Sequence, residues 1–528
     1  VHNEETAVPL NEEQLRQFIC DGYVVLHADV DDSVHAGIDE QFSWLAENEP
    51  NPGNNILPRL PDLNKILECS VVRGAMKSLL GEHYLRHPHV FWHARNADGS
   101  EHTEEDRRKW IHNGSHQDSY TPGDQGRSHC LQYLRFMYYS HDIGVDDGPT
   151  YVIPGSQYHA SLTDEDRARN IPVTGKAGTV FISHFDIGHS GSLNSSSRCR
   201  NMTKFVYMRM PQAKASCDAF KDTPWQQPAE FSAPLALDNC WSHQWDRLCG
   251  NKSNASPATL DASSLVEQLK QASESDTRMS LIQELGETGS SEAIPTLLSL
   301  LNRGCQAERT TSIYALAQIG SPAIAPLVDL LAETESIPDD NPTAGQCVVM
   351  NDAVHALSAI GKECIDAIAP LLSSPHEWVL INAIHALNDI GVLREDICQS
   401  LEGLLKSDSG AVICHAANAL GSLDAVTSAP ALCEVLDTQY GDEPRNGLGW
   451  SLEWLIHFNA ALALARLGPG LEGHEDLIIK HIDHPFGQVG ICLTAALKST
   501  GSHMALTALL DNLSIRRWDA SLNLAHTY

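Results

Sequence analysis

From residue 270 onward one short phrase keeps returning, and it constrains the fold more than any other feature of this chain. LIQELG closes at Gly286, ALAQIG at Gly320, ALSAIG at Gly361 and ALNDIG at Gly391. Looser forms, AANALG, ALARLG and ALKSTG, close at Gly421, Gly468 and Gly501. The intervals are 34, 41, 30, 30, 47 and 33 residues, a spacing typical of stacked helical units. Ala and Leu on one helix face let neighbouring helices approach closely, and each glycine is expected to end its helix in a left-handed cap. In IGSPAIAPLVDLL (319–331) the apolar residues resume after a short turn as a second helix. A single pair cannot bury its own apolar face, so the pairs must stack into a solenoid.

Over about residues 262 to 520 this phrase resembles HEAT-type repeats, particularly their short bacterial form. Two additions break the rhythm, ETESIPDDNPTAGQC (333–347) and DTQYGDEPRNGLGW (437–450); such loops tend to project from one face of a solenoid. His355, His385 and His415 each stand immediately before the small-residue pair of successive repeats. A row of histidines suggests a metal ladder, but this placement favours ordinary repeat identity.

The first half has a different rhythm. NEEQLRQFICDGYVVL (11–26) predicts an amphipathic helix turning through Asp21-Gly22 into a strand. Short β-rich runs follow at 129–142, 149–155, 178–184 and 200–210, separated by Gly, Pro, Asp and Ser, the pattern of a sandwich or jelly roll. The stretch 211–260 reads as a connector whose Trp225, Trp241 and Trp245 dock onto a neighbouring domain. The expected architecture is therefore multidomain α+β: a jelly-roll domain over 1–210, a connector over 211–260 and an all-α repeat domain over 261–528.

Charge narrows the partners. With 68 acidic against 36 basic side chains the formal charge is −32, which would repel phosphate backbones and anionic membranes. No nucleic-acid or membrane partner is expected, and no apolar run reaches the roughly 20 residues that span a bilayer. The 14 cysteines are scattered without a C-x-x-C pair, which suits reduced thiols in a cytoplasm. VHNEETAVPL lacks the basic and apolar regions of a secretory signal.

The chemistry is concentrated around HNGSHQDSY (112–120). Side chains at i and i+2 of an extended segment point the same way, so His116 and Asp118 can offer nitrogen and oxygen to one cation, with Gln117 turned aside. His112 has the helical i, i+4 spacing to His116, but Asn113 and Gly114 argue against a helix there. Two histidines and a carboxylate on one face leave open positions, as in non-haem Fe(II) oxygenases. The second histidine would come from GTVFISHFDIGHSGSLNSSSRCR (178–200), which holds His184, His189, Arg198 and Arg200.

With these residues on the page, the chain resembles the jelly-roll oxygenases of the phytanoyl-CoA dioxygenase family over about residues 9–210. That family carries an H-x-D motif and, much later, a glycine, a short strand, the distal histidine, a small-residue turn with Asn and an arginine eleven residues past that histidine. The pattern falls here on Gly178, His189, Ser190-Gly191, Asn194 and Arg200, and GPTYVIPGS (148–156) fits the family's Gly-to-Pro-Gly stretch. Thr179 stands where many relatives have Asp. The resemblance implies Fe(II) on His116, Asp118 and His189, 2-oxoglutarate chelated to the metal with its far carboxylate on Arg200, and O2 at the last site. It implies hydroxylation of a C–H bond of a small metabolite with release of succinate and CO2. Asp118 disfavours halogenation, since related halogenases have a small residue there. Gln117 and Gln132 are further candidates for the cosubstrate pocket, and Arg135 for its wall. Two other functions compete: a non-catalytic scaffold using the solenoid, and an oxygenase acting on a protein partner or macromolecule that the solenoid presents.

Overall fold

The computed structural model describes residues 6–97, 99–100, 102–118, 127–210, 216–251, 260–337, 349–441, 444–445 and 450–516. Of the two additions, residues 338–347, 442–443 and 446–449 lie outside the described residues.

The first half is a two-sheet sandwich. Its strands are β1 (Tyr23–His27), β2 (Tyr84–Arg95), β3 (Tyr133–Tyr139), β4 (Thr150–Ile153), β5 (Ile171–Val173), β6 (Thr179–His184), β7 (Gly188–Ser190) and β8 (Arg200–Arg209). The larger sheet runs β1-β6-β3-β8-β2 and the smaller β5-β4-β7, and the strands of both sheets pair antiparallel. The alternation of side chains sorts each strand between two interiors. On β3, β6 and β8, Leu134, Phe136, Tyr138, Val180, Ile182, Phe205 and Tyr207 face outward into a core shared with the helices. Met137, Tyr139, Phe181 and Met202 face inward and meet Val152, Val173 and Ile187 near the smaller sheet. The helix-then-strand opening is present as Glu12–Asp21 and β1. The strand β2 and the helices Asp32–Asn48, Ser70–Leu80 and Glu104–Gly114 had no clear signal in the sequence. The last of these overturns the expectation at His112: a Thr103 capping box starts a helix that runs through Asn113 to Gly114, and one terminal Asn-Gly costs too little to stop it.

The second half is helical apart from one short antiparallel pair, Pro444–Arg445 with Trp450–Ser451. The phrase-bearing helices Ser275–Glu287, Gln306–Ile319, Asp352–Ile360, Glu377–Ile390, Gly410–Ser422, Leu452–Leu467 and Gly487–Thr500 each pack on the next and form one layer. The glycines do two jobs where one was expected. Gly391 and Gly501 are left-handed C-caps, and Gly320, Gly361 and Gly468 also end helices with positive φ. Gly286 and Gly421 lie inside their helices instead, where an added Cβ would come within 2.7 Å of Ala315 Cα and 2.6 Å of Ala463 Cα. At those positions glycine permits close helix contact rather than a turn. No helix among the described residues is long and apolar enough to cross a membrane.

The phrase-bearing layer faces the sandwich, and one apolar core runs through both halves. Ser128 Oγ and Gln132 Nε2 donate to the two carboxylate oxygens of fully buried Asp389 at 2.6 and 2.8 Å. The His129 ring stacks on His355 at 4.1 Å, and its Nδ1 lies 3.2 Å from the Tyr314 hydroxyl. His87 meets Phe458 edge-on, and the backbone N–H of Ala160 donates to Gln306. His355, His385 and His415 are therefore buried along or beside this seam, with ring centres 6.4–6.5 Å apart. In the connector, the helix Asp238–Cys249 packs on both the first helix and the helix Gln306–Ile319. Trp241 and Trp245 are fully buried, and the Arg16 guanidinium lies over Trp245 and Trp225.

Candidate metal centre

His116 follows the helix Glu104–Gly114 and meets β7 edge to edge. Its N–H donates to the carbonyl of His189 at 3.0 Å, and the N–H of His189 donates back to the carbonyl of His116 at 2.9 Å. This pair of backbone bonds sets the two imidazoles side by side, with ring centres 4.4 Å apart. Two residues on, Asp118 lies on the same side, its Oδ1 3.6 Å from His116 Nε2. One ligand atom from each of His116, Asp118 and His189 falls within 4.8 Å of the others.

Tautomers and charge suit a cation. His116 Nδ1 faces the Gly114 carbonyl at 2.8 Å and His189 Nδ1 faces the Ile187 carbonyl at 3.2 Å. A carbonyl only accepts, so both Nδ1 atoms carry a proton, and Nε2 is the nitrogen each ring can turn to a metal, His116 by exchanging its proton toward Asp118 for the ion. Burial keeps His189 well below its ordinary pKa, while the hydrogen bond to Asp118 raises that of His116. Burial alone would raise the Asp118 carboxyl, but Arg135, Lys204 and His189 outweigh it and hold it well below the carboxylate range. Arg135 does this directly: its Nη2 donates to Asp118 Oδ2 and, at 2.9 Å, to the Phe185 carbonyl. The residue is fully buried and packs its guanidinium on the Phe185 ring. One carboxylate oxygen is thus occupied from behind, and Oδ1 is left on the ligand side. The donor set fits a divalent ion of the Fe(II), Mn(II) or Zn(II) kind.

In front of these residues lies a cavity of about 340 Å³ lined by His93, His116, Asp118, Met137, Thr150, His189, Ser190, Gly191, Arg200, Met202 and Lys204. Arg200 is 5 % exposed, at the start of β8, and its Nε has no hydrogen-bond partner among the described residues. Its neighbour Arg198 points away and pairs with Asp39 at 2.6 Å. His184 is buried on β6 outside the cavity, where its Nδ1 accepts the backbone N–H of Asp186.

The structure does not bring two sequence candidates to the cavity. Gln117 alternates to the opposite side of its neighbours, where Nε2 donates to the carbonyls of Ser156, His159 and Asp186 at 3.0–3.1 Å and Oε1 accepts from Arg127. It braces the loop that carries the ligands. Gln132 stands one residue before β3 and bonds Asp389 across the seam. Arg135, read as a wall residue, stands behind Asp118. Lys204 and His93 were not foreseen, although strand alternation from Arg200 through Met202 to Lys204 carried the signal for the lysine.

The model of the phytanoyl-CoA dioxygenase (PhyH) family matches residues 66–202, which include all four of His116, Asp118, His189 and Arg200. The HEAT repeat model matches residues 262–338 and 365–453. No curated protein matches the chain. Among solved structures, EctD from S. alaskensis with 2-oxoglutarate and 5-hydroxyectoine is 18% identical, covering 40% of this chain and 80% of its own, with a TM-score of 0.31. The non-heme alpha ketoglutarate dependent carbocyclase SnoK from nogalamycin biosynthesis is 18% identical over 40% and 88% of the two chains, TM-score 0.31. HygX from Streptomyces hygroscopicus with iron bound is 15% identical over 38% and 88%, TM-score 0.29.

Proposed function

We propose that this chain, which carries a phytanoyl-CoA dioxygenase domain ahead of HEAT repeats, is an Fe(II)- and 2-oxoglutarate-dependent dioxygenase that hydroxylates a C–H bond of a small metabolite. The observation that carries the proposal is the convergence of His116, Asp118 and His189 at the mouth of a cavity whose far end holds buried Arg200. Iron, 2-oxoglutarate and O2 together would supply the oxidant for the C–H bond, with succinate and CO2 as coproducts.

The residues of the chain have separable tasks. His116 and His189 would offer Nε2 to the ion, because the Nδ1 of each faces a backbone carbonyl; His189 is held neutral by burial, and His116 would give up its Nε2 proton on binding. Asp118 offers Oδ1 alone, because Arg135 holds Oδ2, so the carboxylate takes a single coordination position and leaves others open. Arg200 is suited to grip the far carboxylate of 2-oxoglutarate in a two-pronged contact. Met137, Met202 and Thr150 line the space between and limit water at the reacting carbon.

The proposed division is 1–210 for the oxygenase domain, 211–260 for the connector and 261–528 for the repeats, which the family matches at 66–202 and from 262 onward support. The seam weakens the scaffold alternative, since the phrase-bearing layer of the solenoid is buried against the sandwich; a protein partner would have to use the outer layer.

The test is anaerobic loading with Fe(II) and 2-oxoglutarate, followed by admission of air. A visible charge-transfer band and succinate formation are expected in the wild type, and both should be lost in His189→Ala. Absence of the band in the wild type would end the proposal, whatever the substrate.

A further inference from the structure

Two arginines hold the ligand-bearing motif from behind, and both stand on one short stretch of chain. Arg127 donates to Gln117 Oε1 at 2.9 Å and also to the Ala160 carbonyl. Arg135 donates to Asp118 Oδ2 and to the Phe185 carbonyl. Gln117 passes the restraint on, because its Nε2 donates to the carbonyls of Ser156 and His159, just past β4, and of Asp186, just before β7. The middle and last residues of His116-Gln117-Asp118 are thus each fixed by a guanidinium carried on residues 127–135.

That stretch is itself anchored to the repeats, at two points and on one side chain. Ser128, next to Arg127, donates to Asp389 Oδ2 at 2.6 Å, and Gln132, three residues before Arg135, donates to Asp389 Oδ1 at 2.8 Å. Asp389 belongs to the helix Glu377–Ile390 and is fully buried, with His385 Nε2 3.3 Å from Oδ2. Between the two anchors the His129 ring stacks on His355 at 4.1 Å, and the N–H of Cys130 donates to Ser128 Oγ at 3.0 Å. The backbone N–H of Arg209 donates to the Gln132 carbonyl at 2.8 Å. The Cα of Arg127 stands one peptide, about 3.8 Å, from that of Ser128. The Cα of Arg135 stands about 10 Å along extended chain from that of Gln132. Each anchor is therefore close to the base of one arginine, and a shift of either anchor moves a guanidinium that holds the motif.

We propose that Asp389 is a positioning residue for the metal centre: a carboxylate of the repeat half that sets where the ligand motif stands. It acts along two routes, Ser128 to Arg127 to Gln117, and Gln132 to Arg135 to Asp118. This rests on the metal-centre reading and makes the repeats a working part of it. Ligands must be held to within about 0.5 Å of productive geometry, and side chains that orient them govern metal affinity by about 10- to 100-fold. Each guanidinium on the two routes is bonded at two points, so neither route ends in a freely swinging side chain. A carboxylate that merely satisfied the seam would behave differently. Its removal would cost stability and leave the ligands of the folded protein where they were.

The experiment measures Mn(II) binding to the full chain by titration calorimetry, with the EPR line shape of bound Mn(II) as a second readout. It is run at a temperature where melts show each variant to be folded. Asp389→Ala should weaken binding by about fivefold or more and change the line shape. Asp389→Asn, which can still accept from Gln132 and turn its amide to Ser128, should recover to within about twofold of wild type. Phe458→Leu loosens the seam elsewhere, against His87, and should change affinity by less than about twofold. If Asp389→Ala does not fold, Ser128→Ala and Gln132→Ala each cut one route, and each should weaken binding by about two- to fivefold. Wild-type affinity in folded Asp389→Ala, or in both single-route variants, would overturn the proposal. So would equal weakening by Phe458→Leu, which would make the effect a general loosening. If the wild type binds no Mn(II), the metal-centre reading fails, and hydrogen exchange at residues 115–118 of the metal-free chain decides the positioning role. Exchange there that quickens in Asp389→Ala but not in Phe458→Leu would uphold it, and unchanged exchange would overturn it.

Discussion

Replacing Asp389 by alanine tests whether the solenoid is part of the sandwich's structural support. Asp389 is fully buried, and its carboxylate accepts from Ser128, Gln132 and Asn388 at 2.6, 2.8 and 3.0 Å. Ser128 can turn its hydroxyl to another acceptor, but the two amide groups are held by packing. A buried donor left without a partner costs about 1–3 kcal/mol, and breaking a buried charged cluster costs about 3–5 kcal/mol. Relief of the buried charge and entry of water offset part of this. A loss of about 3–4 kcal/mol is expected, a large share of the roughly 5–15 kcal/mol that holds a typical domain together. Asp389→Asn keeps the volume and one acceptor and should lose about half as much. Urea unfolding gives the magnitude, and hydrogen exchange gives its location. Because Ser128 and Gln132 lead directly into β3, exchange should accelerate in 133–139 as well as in Glu377–Ile390. A loss below about 1 kcal/mol, or acceleration confined to the helix, would refute the idea that the seam braces the strand bearing Arg135.

Three further outcomes follow from particular contacts. Arg135→Met leaves Asp118 Oδ2 without its charged partner and should weaken Mn(II) binding by 10- to 100-fold, as loss of outer-shell partners does; unchanged affinity by titration calorimetry would show that Arg135 serves stability alone. Gly421→Ala forces a Cβ to within 2.6 Å of Ala463 Cα and should destabilise by about 1–3 kcal/mol. Gly403→Ala, in a helix with nothing within 4 Å of the added atom, should stabilise by about 0.5–1 kcal/mol, so thermal melts of the two must move in opposite directions. Burial at the seam pushes the histidine pKa down to about 3 at His355 and about 4 at His243, and well below the ordinary value at His129. These groups stay neutral when folded but gain protons when unfolded below about pH 6.5, so stability is full above that value and falls as pH drops toward 4. At about 1.4 kcal/mol per proton, the three cost up to roughly 4 kcal/mol per pH unit in that window. A urea midpoint that does not move between pH 7 and pH 5 would contradict the neutral, buried assignment.

What the sequence made legible was whatever depends on order and spacing along one stretch of chain. The i, i+2 relation places His116 and Asp118 on one side, and it survives folding because an extended segment imposes it locally; the choice of His189 over His184 came instead from the family resemblance, whose pattern runs from Gly178 through the Ser-Gly turn to Arg200. Gln117 was legible by the same rule and was nevertheless carried as a pocket candidate; alternation puts it opposite its neighbours, and there it braces Ser156, His159 and Asp186. Lys204 obeys the rule too, an even step from Arg200. Gln132 obeys no local rule, because its partner Asp389 is 257 residues away and belongs to a repeat whose inward face cannot be recognised until both halves are docked.

The histidines of the repeats show why that docking was hidden. A residue at a fixed place in every repeat reads as part of the repeat, and His355, His385 and His415 do occupy equivalent places. Yet His355 stacks on His129 of the sandwich at 4.1 Å, and His385 lies 3.3 Å from the carboxylate that receives Ser128 and Gln132. The same position serves the repeat and the seam at once, because the phrase-bearing helices form the layer that meets the jelly roll. A free solenoid would be expected to carry solvated side chains on that layer; here it carries buried imidazoles and a buried carboxylate, whose burial is tolerable because the sandwich supplies hydrogen-bond partners such as Ser128 and Gln132. The physical consequence is that the sandwich half and the repeat half share one core and should unfold together, with the repeats acting as the outer wall of β3 rather than as an independent arm.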